Sequence, residues 1–101
     1  MSYKWPPKDK DETLDYSVDW SRFLGTDTLS SASWKIDGTS VTAPTSTVNE
    51  LNFLGPTISG QVATARFSGG TNHRKYTITC TIISGSGLTF ERSIILRIAE
   101  K

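Results

Sequence analysis

Apolar and polar residues alternate one by one along much of the chain, which is the pattern of β-strands with one buried face. In the clearest run, residues 76–83, tyrosine, isoleucine and cysteine side chains share one face and threonines the other. A Ser-Gly loop at 84–87 separates it from a second alternating run, residues 88–98. Glycines in such a loop permit the tight turn of a β-hairpin. We therefore predict that these two runs form a hairpin.

Shorter alternating runs, bounded by Gly, Pro and Asp-Gly turn signals, continue the pattern upstream. They cover residues 14–18, 30–36, 39–43, 47–53 and 61–67. About seven short antiparallel strands predict an all-β fold, an immunoglobulin-like or fibronectin III-like β-sandwich. Trp34 is expected at the centre of the core and Tyr76 as a tyrosine corner. Cys80 is the only cysteine, so the Cys–Trp–Cys framework of true immunoglobulin domains is absent, and a buried apolar role is expected for this thiol.

The chain begins with a polar, charged stretch, and we expect residues 1–12 to form an extended N-terminal arm and residues 13–101 a single sandwich domain. Pro6-Pro7 favours an extended backbone, and Tyr3 and Trp5 are apolar anchors on it. Two alternatives stay open. The arm either packs on its own domain or is disordered, or it docks on a neighbouring subunit.

Charge and composition limit the partners that the protein is expected to have. The net charge is only +1, so we expect neither nucleic acid nor an anionic membrane as a partner. Residues 1–37 hold seven acids and five bases, whereas residues 66–101 hold six bases and two acids. Such a distribution allows attraction within one molecule or between stacked copies. No apolar run approaches the length of a membrane span, and the polar, charged residues 1–12 do not have the hydrophobic core expected of a signal peptide.

Residues that could carry catalysis or bind a metal do not form a recognisable constellation. His73 is the only histidine and lies in a polar turn. Asp15 and Asp19 are four positions apart on one predicted strand, about 13 Å, which is too far for a shared glycosidase water. The acids at 9–12 lack the glycine and final glutamate of a calcium loop. We expect no enzyme activity, no metal and no cofactor.

A carbohydrate- or host-surface-binding module is the alternative function, because sandwich loops can stack aromatic side chains on sugars. The candidates by residue type are Trp5, Trp20, Phe53 and Phe90. This alternative requires at least two of them to be exposed together.

Two motifs resemble small structural proteins of tailed bacteriophages. The first runs over residues 9–36, DKDETLDYSVDWSRFLGTDTLSSASWKI, with its Leu-Asp-Tyr, Asp-Trp-Ser, Leu-Gly, Asp-Thr-Leu and Ser-x-Trp pieces in order. The second combines FSGGT, YTITCTI and a Thr-x-Glu-Arg-Ser-Ile ending. The chain is similar to fibre–tail adaptor components with an immunoglobulin-like fold. The match covers both ends and is weak between residues 36 and 61.

This resemblance implies a non-enzymatic virion component made in the bacterial host cytoplasm. Its partners would be other phage tail or fibre proteins and copies of itself, and it would act in a symmetric assembly. The station in the particle could be the head–tail joint, the tail or the fibre attachment.

The resemblance also gives the Asp-Trp-Ser motif a structural interpretation. Trp20 and Leu24 would turn inwards, while Asp19 or Ser21 would satisfy backbone amides at the corner. The first strand would lie beside the last, bringing Asp15 or Asp19 to Arg92 or Arg97. The predicted protein-interface residues are Tyr3, Trp5, Asp15, Asp19 and Arg92, together with edge strands and the 84–87 loop.

Overall fold

The computed structural model describes residues 3–43 and 45–99, with the side chains of Tyr3 and Lys4 left outside the description. These residues contain nine strands and one short helix. They are β1 Tyr3–Lys4, β2 Leu14–Asp19, α1 Ser21–Leu24, β3 Leu29–Ile36, β4 Thr39–Val41, β5 Ser46–Val48, β6 Leu51–Ser59, β7 Val62–Gly69, β8 Lys75–Ser84 and β9 Thr89–Arg97.

The strands form two sheets that pack face to face, which confirms the predicted all-β sandwich. The first sheet has the order β1-β9-β8-β3-β4 and the second the order β2-β7-β6-β5. All pairings are antiparallel except that of β1 with β9, which is parallel. The predicted hairpin is also confirmed, since β8 and β9 pair from Lys75 and Arg97 to Ile83 and Thr89.

The described residues form nine strands instead of the expected seven, for two local reasons. The arm contributes β1, and the run predicted as one strand over 47–53 is two strands joined by Asn49 and Glu50. Both turn residues have positive φ, 50° and 71°, so the chain reverses there through a two-residue hairpin turn. Asp37-Gly38, with φ of 49° and 84°, forms the turn that the sequence predicts between β3 and β4.

The core lies between the sheets and contains the expected aromatic residues. Trp34 is buried, and so is Tyr76, whose hydroxyl donates to the carbonyl of Asn49 at 2.6 Å. The same hydroxyl accepts the backbone N–H of Thr71 at 2.9 Å, which confirms the tyrosine corner. Cys80 is buried as well, and burial raises the pKa of its thiol to about 12, so it remains a protonated apolar group.

The described part of the expected arm packs on its own domain, the first of the two alternatives. Tyr3 and Lys4 pair with Ile94 and Ile95 of β9. Further along, Lys8 forms a bridge to Ile98 and is fully buried. Its ammonium group donates to the carbonyls of Asp9 and Gly69, at 2.7 and 2.8 Å, and so ties the arm to the end of β7.

The expectation that the first strand of the domain lies beside the last is wrong. Strand β2 pairs along its whole length with β7 in the other sheet. Strand β1 takes the position beside β9. The residues that follow it, including Pro6-Pro7, then carry the chain to β2 in the other sheet.

Candidate interaction groove

A single helical turn, α1, follows β2 and shapes one end of the sandwich. The Asp19 carboxylate accepts the backbone N–H of Ser21 at 2.9 Å, and the carbonyl of Trp20 accepts those of Phe23 and Leu24. Trp20 and Leu24 turn into the core, as predicted, and Asp19 satisfies the backbone at this corner. The same turn leaves Phe23 on the outside, 44% exposed.

Phe23 is the functional candidate that the sequence reasoning missed. Its ring lies 5.7 Å from that of Trp20 and 6.0 Å from that of Phe90, centroid to centroid. The guanidinium carbon of Arg92 lies 4.6 Å from its centroid, in the geometry of a cation–π contact. No sequence signal set it apart, since Phe23 and Leu24, three and four positions after Trp20, lie on the same face of a helical turn.

Trp5 reaches the same region from the arm. Its backbone N–H donates to the carbonyl of Ile95 at 3.0 Å, which extends the pairing of β1. Its ring stacks on Tyr16 with 4.9 Å between centroids, and its indole N–H donates to the carbonyl of Ser17 at 3.2 Å. The Tyr16 hydroxyl in turn donates to the carbonyl of Pro6. Burial raises the pKa of Tyr16 to about 12, which keeps this hydroxyl protonated.

These elements enclose a groove of about 320 Å³ on the open side of the sandwich, between β2 of one sheet and β9 of the other. We call it the Trp5–Phe23 groove. It includes three predicted interface residues, Trp5, Asp19 and Arg92. Its lining is Trp5, Ser17, Val18, Asp19, Arg22, Phe23, Arg92 and Ile94. Tyr3 adjoins it through backbone pairing with Ile94, while its side chain lies outside the described residues.

The groove combines an apolar floor with a mixed, slightly positive rim. Hydrogen bonds from Ser21 hold the pKa of Asp19 below its ordinary value, so this carboxylate is ionised at neutral pH. Arg22 and Arg92 supply two positive charges against that one negative charge. Such a surface suits a partner with apolar side chains and at least one acid.

The predicted contact of Asp15 with Arg92 or Arg97 is wrong. Asp15 lies on the outer face of β2, where it forms a two-point contact with Arg66 of β7, at 2.7 and 3.3 Å. This hydrogen bonding lowers the pKa of the carboxyl. The pair follows directly from the β2–β7 register, in which the two residues are opposite each other.

Other chemistry has little support in the described part of the chain. Within residues 3–43 and 45–99, no three His, Cys, Asp or Glu side chains are placed to hold a metal ion. No helix in the same ranges is long and apolar enough to cross a membrane. Of the four aromatics considered for sugar stacking, Trp20 and Phe53 are buried and cannot present a ring to a ligand.

The two sheets, their strand order and the tyrosine corner define this protein as an immunoglobulin-like β-sandwich. The structure described as "Atomic resolution structure of titin domain M7" is similar to it, with a TM-score of 0.61 and 14% sequence identity. That likeness covers 97% of this chain and 88% of the titin chain, and it bears on the fold alone. A search of curated proteins gave no match.

A family model described as "Podophage GP4 fiber-tail adaptor protein gp77" matches residues 8–97, and the chain belongs to this family. The resemblance drawn from the two sequence motifs is thereby confirmed. Membership supports a structural role in the phage tail and contact with other tail or fibre proteins.

Proposed function

We propose that the protein is a non-enzymatic adaptor that joins a fibre protein to the tail of a phage particle through protein–protein contacts. It would be made in the host cytoplasm and repeated around a symmetric tail assembly. The observation that carries this proposal is the family match, which spans residues 8–97 and so includes every lining residue of the Trp5–Phe23 groove except Trp5.

The geometry supports contact rather than catalysis. An exposed ring, Phe23, lies beside Arg92 at an open side of the sandwich, and aromatic and arginine side chains are the residue types that dominate protein interfaces. One such groove offers only a modest surface. Copies repeated around the tail would multiply the contact through effective concentration.

The proposal is tested by measuring how much fibre protein is attached to particles that lack this protein. Phage made without its coding sequence should yield particles depleted of fibre protein, measured by quantitative mass spectrometry of purified particles. Adding the purified chain to these particles together with purified fibre protein should restore the fibre content.

The matched control is Ile78→Asp, which places a charge at a fully buried core position and should prevent folding. It should restore nothing. Particles that carry a full set of fibres without the protein would overturn the proposal, since an adaptor is required for the connection it makes.

A further inference from the structure

We propose that an extended segment of a tail or fibre protein adds as a strand to the free edge of β6 at Pro56–Ser59. That the segment belongs to a tail or fibre protein rests on the proposed function, whereas the docking position and the docking mode rest on the contacts of β6. This edge lies on the side of the sandwich away from the Trp5–Phe23 groove and gives the adaptor a second docking surface.

Within residues 3–43 and 45–99, the second half of β6 has a strand neighbour on one side only. Strand β7 pairs with β6 as far as Ser59, whereas β5 pairs with it at Leu51–Phe53 and goes no further. Residues 56–59 are all exposed, and the Ile58 side chain is 40% exposed although it shares a face with the buried Ala63. The edge is therefore uncovered over this stretch.

The residue outside the description between β4 and β5 is too far along the chain to cover this stretch. Ser46, opposite Phe53, is two positions from Pro44, which is a reach of at most about 7 Å. Ile58 lies about 13 Å further along the edge than Phe53, since four β7 positions separate their partners.

The chain ends lie elsewhere on the molecule. Tyr3 pairs on the outer edge of β9, three strand positions from β3, which packs against β6. Three strand spacings are about 14 Å, twice what residues 1–2 can span. Ala99 lies at the end of the sandwich with the 49–50 turn, whereas Ser59 lies at the end with α1.

The pairing of β7 with β2 fixes which backbone groups of β6 point outwards. The first residue after β2 donates its N–H to the carbonyl of Gln61, so odd-numbered residues of β7 point towards β2 and even-numbered ones towards β6. Thr57 and Ser59 lie opposite even-numbered residues and therefore point towards β7. Pro56 and Ile58 point the other way and present two carbonyls and one N–H to the open edge, a template for another strand.

The same edge already accepts a strand, because β5 pairs with it in antiparallel fashion at Leu51–Phe53. A segment from another protein fits the rest of the edge better than a second copy does. Two carbonyls and one N–H require a partner that donates more often than it accepts, and an identical edge does not meet that requirement. Pairing of two identical edges would also join copies in isolated pairs, whereas copies repeated around a tail form a ring.

The surroundings of the edge specify the side chains of the added segment. On the face towards the first sheet, a side chain next to Ile58 would cover exposed apolar surface, which favours an apolar residue. On the outer face, Leu54 and Thr57 border a depression of about 400 Å³ that extends across β7 to the Asp15–Arg66 ion pair. The two charges of this pair offset each other, which favours an uncharged polar side chain. We expect a segment in which apolar and uncharged polar residues alternate.

Overlapping synthetic peptides that tile the tail and fibre proteins of the same phage are the probe. Their binding to the full chain is measured by calorimetric titration, and hydrogen exchange of backbone amides is followed by NMR. In the free chain, the Ile58 amide should exchange faster than those of Thr57 and Ser59, which point towards β7. A binding peptide should slow exchange at Ile58 about tenfold or more and change the other two little.

Two pairs of variants separate the backbone from the side chains. Ile58→Pro removes the outward N–H at a position where an edge strand tolerates proline, and Ser40→Pro, which makes the same change on the edge strand β4 of the first sheet, is its control. Thr57→Arg fills the depression, and Ser33→Arg, on the exposed outer face of the first sheet, is its control. Ile58→Pro and Thr57→Arg should each weaken peptide binding about tenfold or more, and the controls less than about twofold.

Each failure has a distinct meaning. The inference is overturned if no peptide binds, if the Ile58 amide is already protected in the free chain, or if Ile58→Pro binds as well as Ser40→Pro. Self-association of the chain that Ile58→Pro abolishes would also overturn it, because the occupant would then be a second copy. If Ile58→Pro restores fibres to depleted particles as well as the unaltered protein does, the docking mode fails while the adaptor function stands.

Discussion

At the scale of single residues, the Tyr76 hydroxyl joins two loops at the end of the sandwich opposite α1. It donates to Asn49, whose φ is 50°, and accepts from the backbone of Thr71. A non-glycine residue in the left-handed region costs free energy and persists only where contacts around it offset that cost, and the hydrogen bond from the Tyr76 hydroxyl is one such contact. The tyrosine corner therefore fixes loop geometry as well as filling the core.

Tyr76→Phe should lower the free energy of unfolding by about 1–3 kcal/mol, because two partly buried backbone groups, the Asn49 carbonyl and the Thr71 N–H, lose their partner. Urea denaturation followed by tryptophan fluorescence measures the change. Tyr16→Phe is the matched control, since it removes one bond, to Pro6, from a similarly buried ring. A loss for Tyr76→Phe no larger than that for Tyr16→Phe would contradict this account of the corner.

Individual residues were predictable from sequence where one strong local rule applied. Trp34, Tyr76 and Cys80 lie in alternating runs, and the structure buries all three. Asp15 was misassigned because its partner depends on which strand lies opposite, and that pairing is set by the whole fold. The β2–β7 register gives it Arg66, a residue 51 positions away.

At the scale of elements, the described part of the arm belongs to the sandwich. Strand β1 covers β9 at Ile94 and Ile95, and the buried Lys8 anchors the following residues to Gly69. The sequence pattern predicted neither β1 nor the burial of Lys8. A two-residue strand has no measurable period, and a lysine in a charged stretch looks like an exposed side chain. The Asn49-Glu50 turn was also missed, although the apolar positions change there from even to odd numbers, from Val48 to Leu51 and Phe53.

Lys8→Met should destabilise the fold by about 2–4 kcal/mol, because the partly buried carbonyls of Asp9 and Gly69 lose a charged donor. Lys10→Met is the control, since the Lys10 side chain is half exposed and its distance to Asp11 is 3.9 Å. Its effect should stay within about 0.5 kcal/mol. Equal midpoints of chemical denaturation for the two variants would show that the Lys8 anchor contributes nothing to stability.

At the scale of the whole molecule, the two ends of the sandwich differ in kind. The end with the turns at 37–38 and 49–50 is polar and internally bonded, with Asp37 accepting from Asn49, Arg74 and Thr77. The end with α1 presents Phe23 and the Trp5–Phe23 groove. An adaptor needs surfaces for two neighbours, and this polarity gives it two chemically distinct ends.

Cryo-electron microscopy of intact particles, with the sandwich fitted into the density, is the most direct measurement of the central claim. The account predicts one copy at each fibre attachment, in contact with both tail and fibre, with added density at the Trp5–Phe23 groove. Copies that touch only one of the two structures, or that lie away from the fibre attachments, would contradict it.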